Sequence, residues 1–524
     1  MKRRTAIQSL GILATVSGCV SDRTRPGASG GTPAGPPAPV PLLRQAWNDS
    51  GFLTPFRVST TGPGGAVLLS LLFDTLTWKD ERGIIPWLAT SWQISPDGRE
   101  YTFTLANDVR WHDGRTLSAD DVAFSFHYYA RFPYRWMPTD VVEGARAVAP
   151  DRVAITLKRP YAPFLEDVAG IVPVIPRHVW EGVADPIKYE APDGYAGSGP
   201  YRLVEYRAAE GAYRMVAHQQ YFRGRPRIDE FQSLAVPAET RVNVLQQGGL
   251  DLTQSTDYSV LDLFRGHPRV RIVETQPLSI ARLVLNTERP PLDQKLVRQA
   301  LAHALDRKRI AEVVTRGPPI VGHAGVVPPD TPWHNPNVRQ YPYDPARARQ
   351  LLDSAGFPVQ PGGRFTLEFL ADPAARDVEL IQPMLEAVGI NLAVRRLDAK
   401  TRTQLLRELN FQLAFATHIG VGGDPDYLRR WYAGEEANDF AQGSVLRHAE
   451  YERLGREQAA TTDPARRRQI VFRMQEILAE ELPTIVLYHR RFLWLYDATR
   501  FTPVQTWGGL MNGIPFVTNK LAFL

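Results

Sequence analysis

A glycine-rich loop that ends in a carboxylate has the residue types that could contact a ligand. Residues 420–426 read Gly-Val-Gly-Gly-Asp-Pro-Asp. Glycine tolerates positive φ and lets a ligand approach the backbone closely, so Gly420 and Gly422 could offer main-chain groups. Val421 adds an apolar side chain and Asp424 a carboxylate. The alternative interpretation is a tight turn whose Asp-Pro pair begins the next helix, and the local sequence leaves both open.

The stretch before this loop predicts a buried strand. Phe411, Leu413 and Phe415 alternate with smaller or polar residues, and Ala416 continues the apolar run. That pattern is typical of a strand that is largely buried. Ligands usually bind at the carboxyl ends of strands in open α/β sheets, which favours a ligand-contacting role for the loop.

Sequence motifs for catalysis are absent from the body of the chain, residues 42–524. These residues contain no Gly-x-x-x-x-Gly-Lys, no His-Glu-x-x-His and no Gly-x-Ser-x-Gly motif. The 11 histidines show no ligand spacing, and we interpret His112 and His418 as hydrogen-bonded structural residues. We therefore expect no catalytic site, no metal and no cofactor. Carboxylates are abundant, so a hydrolase that uses a carboxylate pair stays open as the alternative.

Length and composition indicate a multi-domain protein. A chain of 524 residues is too long for one hydrophobic core, so two or three domains are expected. The net charge of +5 falls to +2 without residues 1–18, which carry three basic residues and no acid. No basic run is interleaved with aromatic residues, so nucleic acid is not an expected partner.

The N-terminus resembles a bacterial lipoprotein signal. A Lys-Arg-Arg cluster precedes an apolar stretch at 7–16, and small residues precede Cys19, the only cysteine. The segment is too short and too polar to span a membrane. We predict that residues 1–18 are removed, that Cys19 is lipidated, and that residues 19–41 form a flexible tether. The paired arginines leave open whether export uses the general or the twin-arginine route.

Alternation and helical periodicity predict the elements of the body. Strands are predicted at 101–105, 153–157, 279–286, 365–369, 390–394 and within 484–496. Helices are predicted at 66–76, after Ser118, from Asp293 through Ile310, from Pro345 to Ala355, before Val388 and at 464–478. The order strand-helix-strand-helix-strand in the second half predicts a parallel sheet covered on both faces.

Several segments together resemble the extracellular solute-binding proteins of family 5, which serve peptide, nickel and opine ABC transporters. They are Leu-Ala-Thr-Ser-Trp at 88–92, Ser-Pro-Asp-Gly at 95–98, Val-Arg-Trp-His-Asp-Gly at 109–114, Leu-Ser-Ala-Asp-Asp-Val at 117–122, Gly-Ser-Gly-Pro-Tyr-Arg-Leu at 197–203 and Tyr-Phe-Arg-Gly-Arg-Pro at 221–226. The resemblance implies a two-lobed periplasmic-binding-protein-like α/β fold of type II, of the large class with an extra inserted subdomain and a hinge between the lobes.

The resemblance also implies how the chain is divided. The core of lobe one is expected to combine residues 42–72, 197–276 and 490–524. Residues 73–196 would form the inserted subdomain and residues 277–489 lobe two. The implied function is capture of a peptide or other small solute, without chemistry, and delivery to an ABC permease. A monomer is expected, in the periplasm or at the extracellular face, anchored to the membrane through Cys19.

In the peptide-binding branch of that family, an Asp four residues before the loop proline pairs with the α-ammonium of the peptide. Here that position holds Val421. Burying an ammonium without a carboxylate partner is costly, so the departure favours a blocked or unusual peptide, an opine, a sugar conjugate or another solute. The family geometry places the loop at the inter-lobe cleft, where Trp507 and Phe52 are candidate aromatic walls beside Gly420, Gly422 and Asp424.

Overall fold

The computed structural model describes most of the body. The described residues are 39–57, 63–134, 137, 139–373, 375–434, 446–506, 509, 513–514 and 516–524. The predicted signal peptide, Cys19 and Trp507 lie outside them. The first strand begins at Val40, so the ordered body includes the last two residues of the segment predicted as a tether.

Strands and helices alternate along the described chain. The strands are β1 Val40–Trp47, β2 Thr77–Asp80, β3 Gly83–Pro86, β4 Ala89–Ile94, β5 Glu100–Leu105, β6 Val142–Ala149, β7 Arg152–Leu157, β8 Tyr201–Arg207, β9 Ala212–Ala217, β10 Ile228–Ala235, β11 Leu252–Ser255, β12 Val270–Glu274, β13 Ser279–Leu285, β14 Ile320–Val321, β15 Phe365–Ala371, β16 Ile390–Arg396, β17 Leu413–Ile419, β18 Thr484–Arg490 and β19 Leu493–Asp497. The α-helices are α1 Pro63–Leu72, α2 Ala119–Arg131, α3 Val168–Ile171, α4 Arg177–Trp180, α5 Arg241–Gln246, α6 Ser259–Leu263, α7 Lys295–Ala304, α8 Arg307–Thr315, α9 Pro345–Ser354, α10 Asp377–Glu386, α11 Ala399–Arg407, α12 Tyr427–Tyr432, α13 Ala449–Ala460 and α14 Pro464–Glu481. Within the described residues, no helix combines the length and apolarity needed to cross a membrane.

Two sheets share the first core. A seven-stranded sheet has the order β12-β19-β11-β1-β10-β9-β8, and a four-stranded antiparallel sheet has the order β4-β5-β7-β6. Leu43 and Phe231 of the first sheet and Phe103 and Val153 of the second belong to one buried cluster. The seven-stranded sheet therefore collects strands from the start, the middle and the end of the body around the segment that carries the four-stranded sheet.

A six-stranded sheet in the order β14-β18-β13-β17-β15-β16 has its own core. The predicted parallel sheet is only partly correct. β15 is parallel to β16 and β17, whereas β13 is antiparallel to β17 and β18. The reason is the route of the chain: β13 leaves the seven-stranded sheet and β18 returns to it, so neighbouring strands run in opposite directions.

Two short crossings join the seven-stranded and six-stranded sheets, one between β12 and β13 and one between β18 and β19. They are tied together, because Thr275 N–H donates to Phe492 O at 2.9 Å and Phe492 N–H donates to Thr275 Oγ1 at 3.0 Å. Paired crossings of this kind are suited to act as a hinge. The predicted two-lobed α/β fold is confirmed, and the exact lobe boundaries stay predictions.

The capping residues test the predicted helices most directly. Asp344 and Asp463 accept the N–H groups of Arg347 and Arg466 at 2.9 and 2.7 Å, as their Asp-Pro pairs predicted. The single helix predicted from Asp293 is wrong. The chain forms α7 and α8 instead, because Asp306 accepts the N–H of Arg309 at 2.9 Å and starts a new helix. The N-cap of α7 is Gln294, not Asp293.

Candidate functional site

The loop after β17 is shaped by Leu278, a residue of the first hinge crossing. Gly420 has φ +94°, and its N–H donates to Leu278 O at 3.0 Å. A Cβ on Gly422 would lie 2.0 Å from a methyl carbon of Leu278, far inside van der Waals contact. The loop glycines are therefore required by close packing against the hinge, whether or not a ligand also contacts them.

The C-terminal segment covers the same loop. Gly513 has φ +80°, and a Cβ there would lie 2.5 Å from Gly423 N and 2.7 Å from Gly422 N. Gly509 packs beside Leu278 in the same way, with 2.7 Å from its ideal Cβ to a methyl carbon. The structure thus brings Gly509 and Gly513, which follow Trp507 in the chain, together with Leu278 and the predicted loop. Trp507 itself lies outside the described residues, so its role as an aromatic wall stays a prediction.

Val421 lies in an apolar environment of the second lobe. Its exposure is 1%, and it belongs to the buried cluster of Ile280, Val326 and Tyr427. The side chain therefore faces a hydrophobic core beneath the loop. A carboxylate at this position would have to turn outward or be buried among apolar side chains.

Asp424 is held by an ion pair. Arg467 donates to its two carboxylate oxygens at 2.6 and 2.5 Å, and the N–H of Asp426 donates at 2.9 Å. Both side chains are less than a tenth exposed. Burial raises the pKa of Asp424, and Arg467 opposes this effect. The carboxylate is thus engaged within the protein, as a structural turn would require, and its predicted contact with a ligand stays untested.

Asp426 is the centre of a larger buried charge cluster that sequence reasoning missed. Its carboxylate accepts hydrogen bonds from Arg429 at 2.8 and 2.6 Å, from Gln458 at 2.6 Å and from Tyr161 at 2.9 Å. Burial would raise the pKa of Asp426, but Arg429 and Arg430 outweigh it and lower the pKa. The Asp-Pro-Asp motif was the only sequence signal, because the partners are distant along the chain.

A cavity of about 220 Å³ opens at the carboxyl ends of β15 and β17, on the face covered by α8 and α10. Its polar lining was also missed from the sequence. The lining residues are Val314, Asp372, Ala375, Asp377, Arg402, Phe415, Thr417, Tyr488 and Arg490. The available signal was the Arg490-Arg491 pair, which breaks an otherwise apolar stretch between the predicted lobes.

The remaining predicted residues, Phe52 and His112, contact other residues of the first lobe. Phe52 is partly buried, stacks on Tyr195 at 6.2 Å and meets Tyr206 edge-on at 5.4 Å. It does not line the cavity at β15 and β17, so its role as a wall stays a prediction. His112 is hydrogen-bonded to Gly199 O at 3.0 Å, as predicted.

His418 differs from its prediction. Its ring lies 3.7 Å from that of Trp431, and its Nδ1 is buried with no hydrogen-bond partner. Burial lowers the pKa of His418 well below its ordinary value. Within the part of the chain that the structure describes, no group of three or more His, Cys, Asp or Glu side chains is arranged to hold a metal ion.

The fold is that of two-lobed periplasmic binding proteins. The ABC transporter-associated periplasmic binding protein DppA from Helicobacter pylori, in complex with the peptide STSA, superposes with a TM-score of 0.78 at 22% identity. The superposition covers 92% of this chain and 99% of that one.

Sequence comparison then defines the family. Residues 83–440 match the model of bacterial extracellular solute-binding proteins, family 5 Middle, and the chain belongs to this family. It is 28% identical to heme-binding protein A of Haemophilus influenzae over 78% of this chain and 80% of that protein. It is 26% identical to the dipeptide-binding protein of Escherichia coli over 80% of this chain and 82% of that protein. The predicted class of function, solute capture for an ABC transporter, is thereby confirmed.

Proposed function

We propose that this protein captures a small solute without a free α-ammonium group, in the cleft between its lobes, and releases it unchanged to an ABC permease. The observation that carries the proposal is Val421, which stands where the peptide-binding branch has an ammonium-binding Asp. Its burial in an apolar cluster leaves no carboxylate at that point of the loop.

The other carboxylates of the loop support the same conclusion. Asp424 is paired with Arg467, and Asp426 with Arg429, Gln458 and Tyr161. Recruiting either group to an ammonium would weaken a buried ion pair, which is unfavourable. The relatives named above bind a dipeptide and heme, so this family accommodates chemically different solutes.

The test compares matched compounds on protein that has been unfolded, washed and refolded. Each free-amino dipeptide is paired with its N-acetyl derivative, and the melting temperature and calorimetric affinity are measured for both. A ligand that binds only the folded state raises the melting temperature by mass action. We expect N-acetyl compounds to bind at least as tightly as free dipeptides. Tight binding that requires the free ammonium would contradict the proposal.

A lipid-anchored hydrolase is the alternative function, and the two carboxylates of the loop do not favour it. Paired acids of a hydrolase must reach a substrate and a water, with one of them able to donate a proton. Asp424 and Asp426 are instead buried against arginines. Each compound that binds is incubated with the protein at catalytic ratio and analysed by mass spectrometry. We expect complete recovery, and a cleaved product at turnover would favour the hydrolase.

Anchoring to the membrane is a further part of the proposal and depends on Cys19. Cys19→Ser should remove lipidation without affecting the folded body, whose first strand begins at Val40. Unmodified protein should partition into the detergent phase and the variant into the aqueous phase. A processed variant that still sediments with membranes would contradict the lipid anchor.

A further inference from the structure

Arg490 has an exceptional position in the cavity at β15 and β17. It is the last residue of β18, immediately before the second hinge crossing. Its Nη2 donates to Ser279 Oγ at 3.2 Å, and Ser279 is the first residue of β13 on the other crossing. The guanidinium therefore lies beside both connections between the lobes.

The hydrogen-bonding capacity of Arg490 is largely unused. A guanidinium has five N–H donors. Its Nε is buried without a hydrogen-bond partner, and no carboxylate oxygen lies within the 4.0 Å of an ion pair among the described residues. Burial lowers the pKa of Arg490, as expected where water is displaced from a cation. An arginine in this state is ready to accept an external anion.

The other charged groups of the cavity already have partners within it. Arg402 donates to Phe415 O at 3.3 Å and lies 3.8 Å from Asp372. Asp377 accepts the hydroxyl hydrogen of Tyr488 at 2.8 Å, and burial raises the pKa of this carboxyl. Asp377 also favours the charged form of Arg490, but the two form no ion pair among the described residues, so Arg490 is the lining arginine that lacks an ion-pair partner.

The dimensions and position of the cavity describe a subsite. Drug-sized ligands fill cavities of roughly 300–1,000 Å³, so about 220 Å³ accommodates only one part of a solute. Helix α10 begins at Asp377 in the lining, and its positive dipole end adds to the attraction for an anion. Thr417 contributes a neutral hydroxyl to the same wall.

We infer that the transported solute carries a carboxylate and that Arg490 binds it in this cavity. The inference rests on the proposed function, since it requires that the protein binds a solute. It adds the chemical class: an acid, with its carboxylate beside the hinge.

The experiment uses pairs of acids and primary amides as probes. The acids are N-acetylalanylalanine and galacturonic acid, and binding to the refolded protein is measured by calorimetry and thermal melting. At least one acid should bind, and its amide should bind about 30-fold more weakly, as expected for loss of a charge-assisted hydrogen bond. Any compound that co-purifies with the protein is identified by mass spectrometry and should contain a carboxyl group.

Variants test whether Arg490 causes the preference for the acid over its amide. Arg490→Gln should reduce affinity for the bound acid about 30-fold and leave the affinity for its amide unchanged. Arg490→Lys should retain part of the preference, because the positive charge remains. Arg491→Gln is the matched control, since that guanidinium lies 3.7 Å from Glu274 and 3.9 Å from Asp330 and does not line the cavity. Circular dichroism of the unliganded variants checks folding.

The possible outcomes distinguish failure of the inference about Arg490 from failure of the proposed solute-binding function. Tight binding of a neutral compound, or of an acid whose affinity is unchanged in Arg490→Gln, would overturn the inference but leave solute binding intact. If the protein binds no probe and releases no compound on unfolding, both the inference and the proposed function are contradicted. Loss of acid binding in Arg490→Gln but not in Arg491→Gln supports both.

Discussion

The hydroxyl of Tyr161 donates a hydrogen bond of 2.9 Å to Asp426, and both side chains are buried. Tyr161 follows the four-stranded sheet, whereas Asp426 follows β17 of the six-stranded sheet. A main-chain bond from Ala162 N–H to Ala459 O at 2.7 Å lies beside it. These contacts join the predicted inserted subdomain to the second lobe through groups that must be fully paired when water is excluded.

Removing this hydroxyl should destabilise the protein. Tyr161→Phe deletes a hydrogen bond to a buried carboxylate, which is worth about 2 kcal/mol. Urea denaturation should show that loss in the unfolding free energy. Tyr189→Phe is the control, because it deletes a 2.7 Å bond to Asp193 at the surface and should change the free energy by less than about 0.5 kcal/mol. If both variants lower the unfolding free energy equally, burial of the hydrogen bond between Tyr161 and Asp426 does not increase its contribution to stability.

Replacing only one member of the Asp424–Arg467 ion pair should destabilise the protein strongly. Asp424→Leu or Arg467→Met leaves one buried charge unpaired, and each should lower the unfolding free energy by about 3–5 kcal/mol. The double variant should recover part of the loss, since no lone charge remains. In contrast, Arg466→Met breaks an exposed pair with Glu457 and should cost less than about 1 kcal/mol. If the double variant instead loses as much unfolding free energy as the two single variants combined, Asp424 and Arg467 do not stabilise each other.

Gly422→Ala tests the packing of the loop against the hinge. The added Cβ would lie 2.0 Å from Leu278, so overpacking should cost about 1–3 kcal/mol. The cost should be smaller in a Leu278→Ala background, where the clashing methyl groups are absent. Gly182→Ala places its Cβ in open space and serves as the control. If Gly422→Ala lowers the unfolding free energy equally in the Leu278→Ala background, the destabilisation comes from the loop backbone and not from a clash with Leu278.

Acid should destabilise the protein through His489. Burial, together with His323, His334 and Arg307, lowers the pKa of His489 to about 3. Below about pH 6.5 the unfolded chain takes up a proton that the folded state does not, so stability falls as the pH is lowered towards 3. Between pH 7 and pH 5 this single group should account for about 2 kcal/mol of lost unfolding free energy.

The measurement is urea denaturation of wild type and His489→Asn at both pH values. The variant should show a smaller loss on acidification, by about 2 kcal/mol, because its side chain binds no proton in either state. Taking the difference between the two proteins cancels the other titrating groups. An identical pH dependence of variant and wild type would refute the role of His489.

Local features of this protein were predictable from sequence because their causes are local. Asp344 and Asp463 cap helices by bonding to N–H groups three residues away, and both caps are present. The alternation at 101–105 and 153–157 predicted β5 and β7 to within one residue. The helix break at Asp306 was missed, because apolar residues at helical spacing continue on both sides of it. That pattern hides the N-cap at which Asp306 starts a second helix.

The two-lobed fold and the class of function followed from ordered family motifs in the sequence, together with the absence of catalytic motifs from residues 42–524. The sequence alone could not say why Gly422 is a glycine or which arginine neutralises Asp424. It also could not place Arg490 in a cavity beside Ser279. Those features depend on which distant segments pack together, and only the tertiary structure decides that, because burial makes each polar group take whichever partner the fold brings within reach.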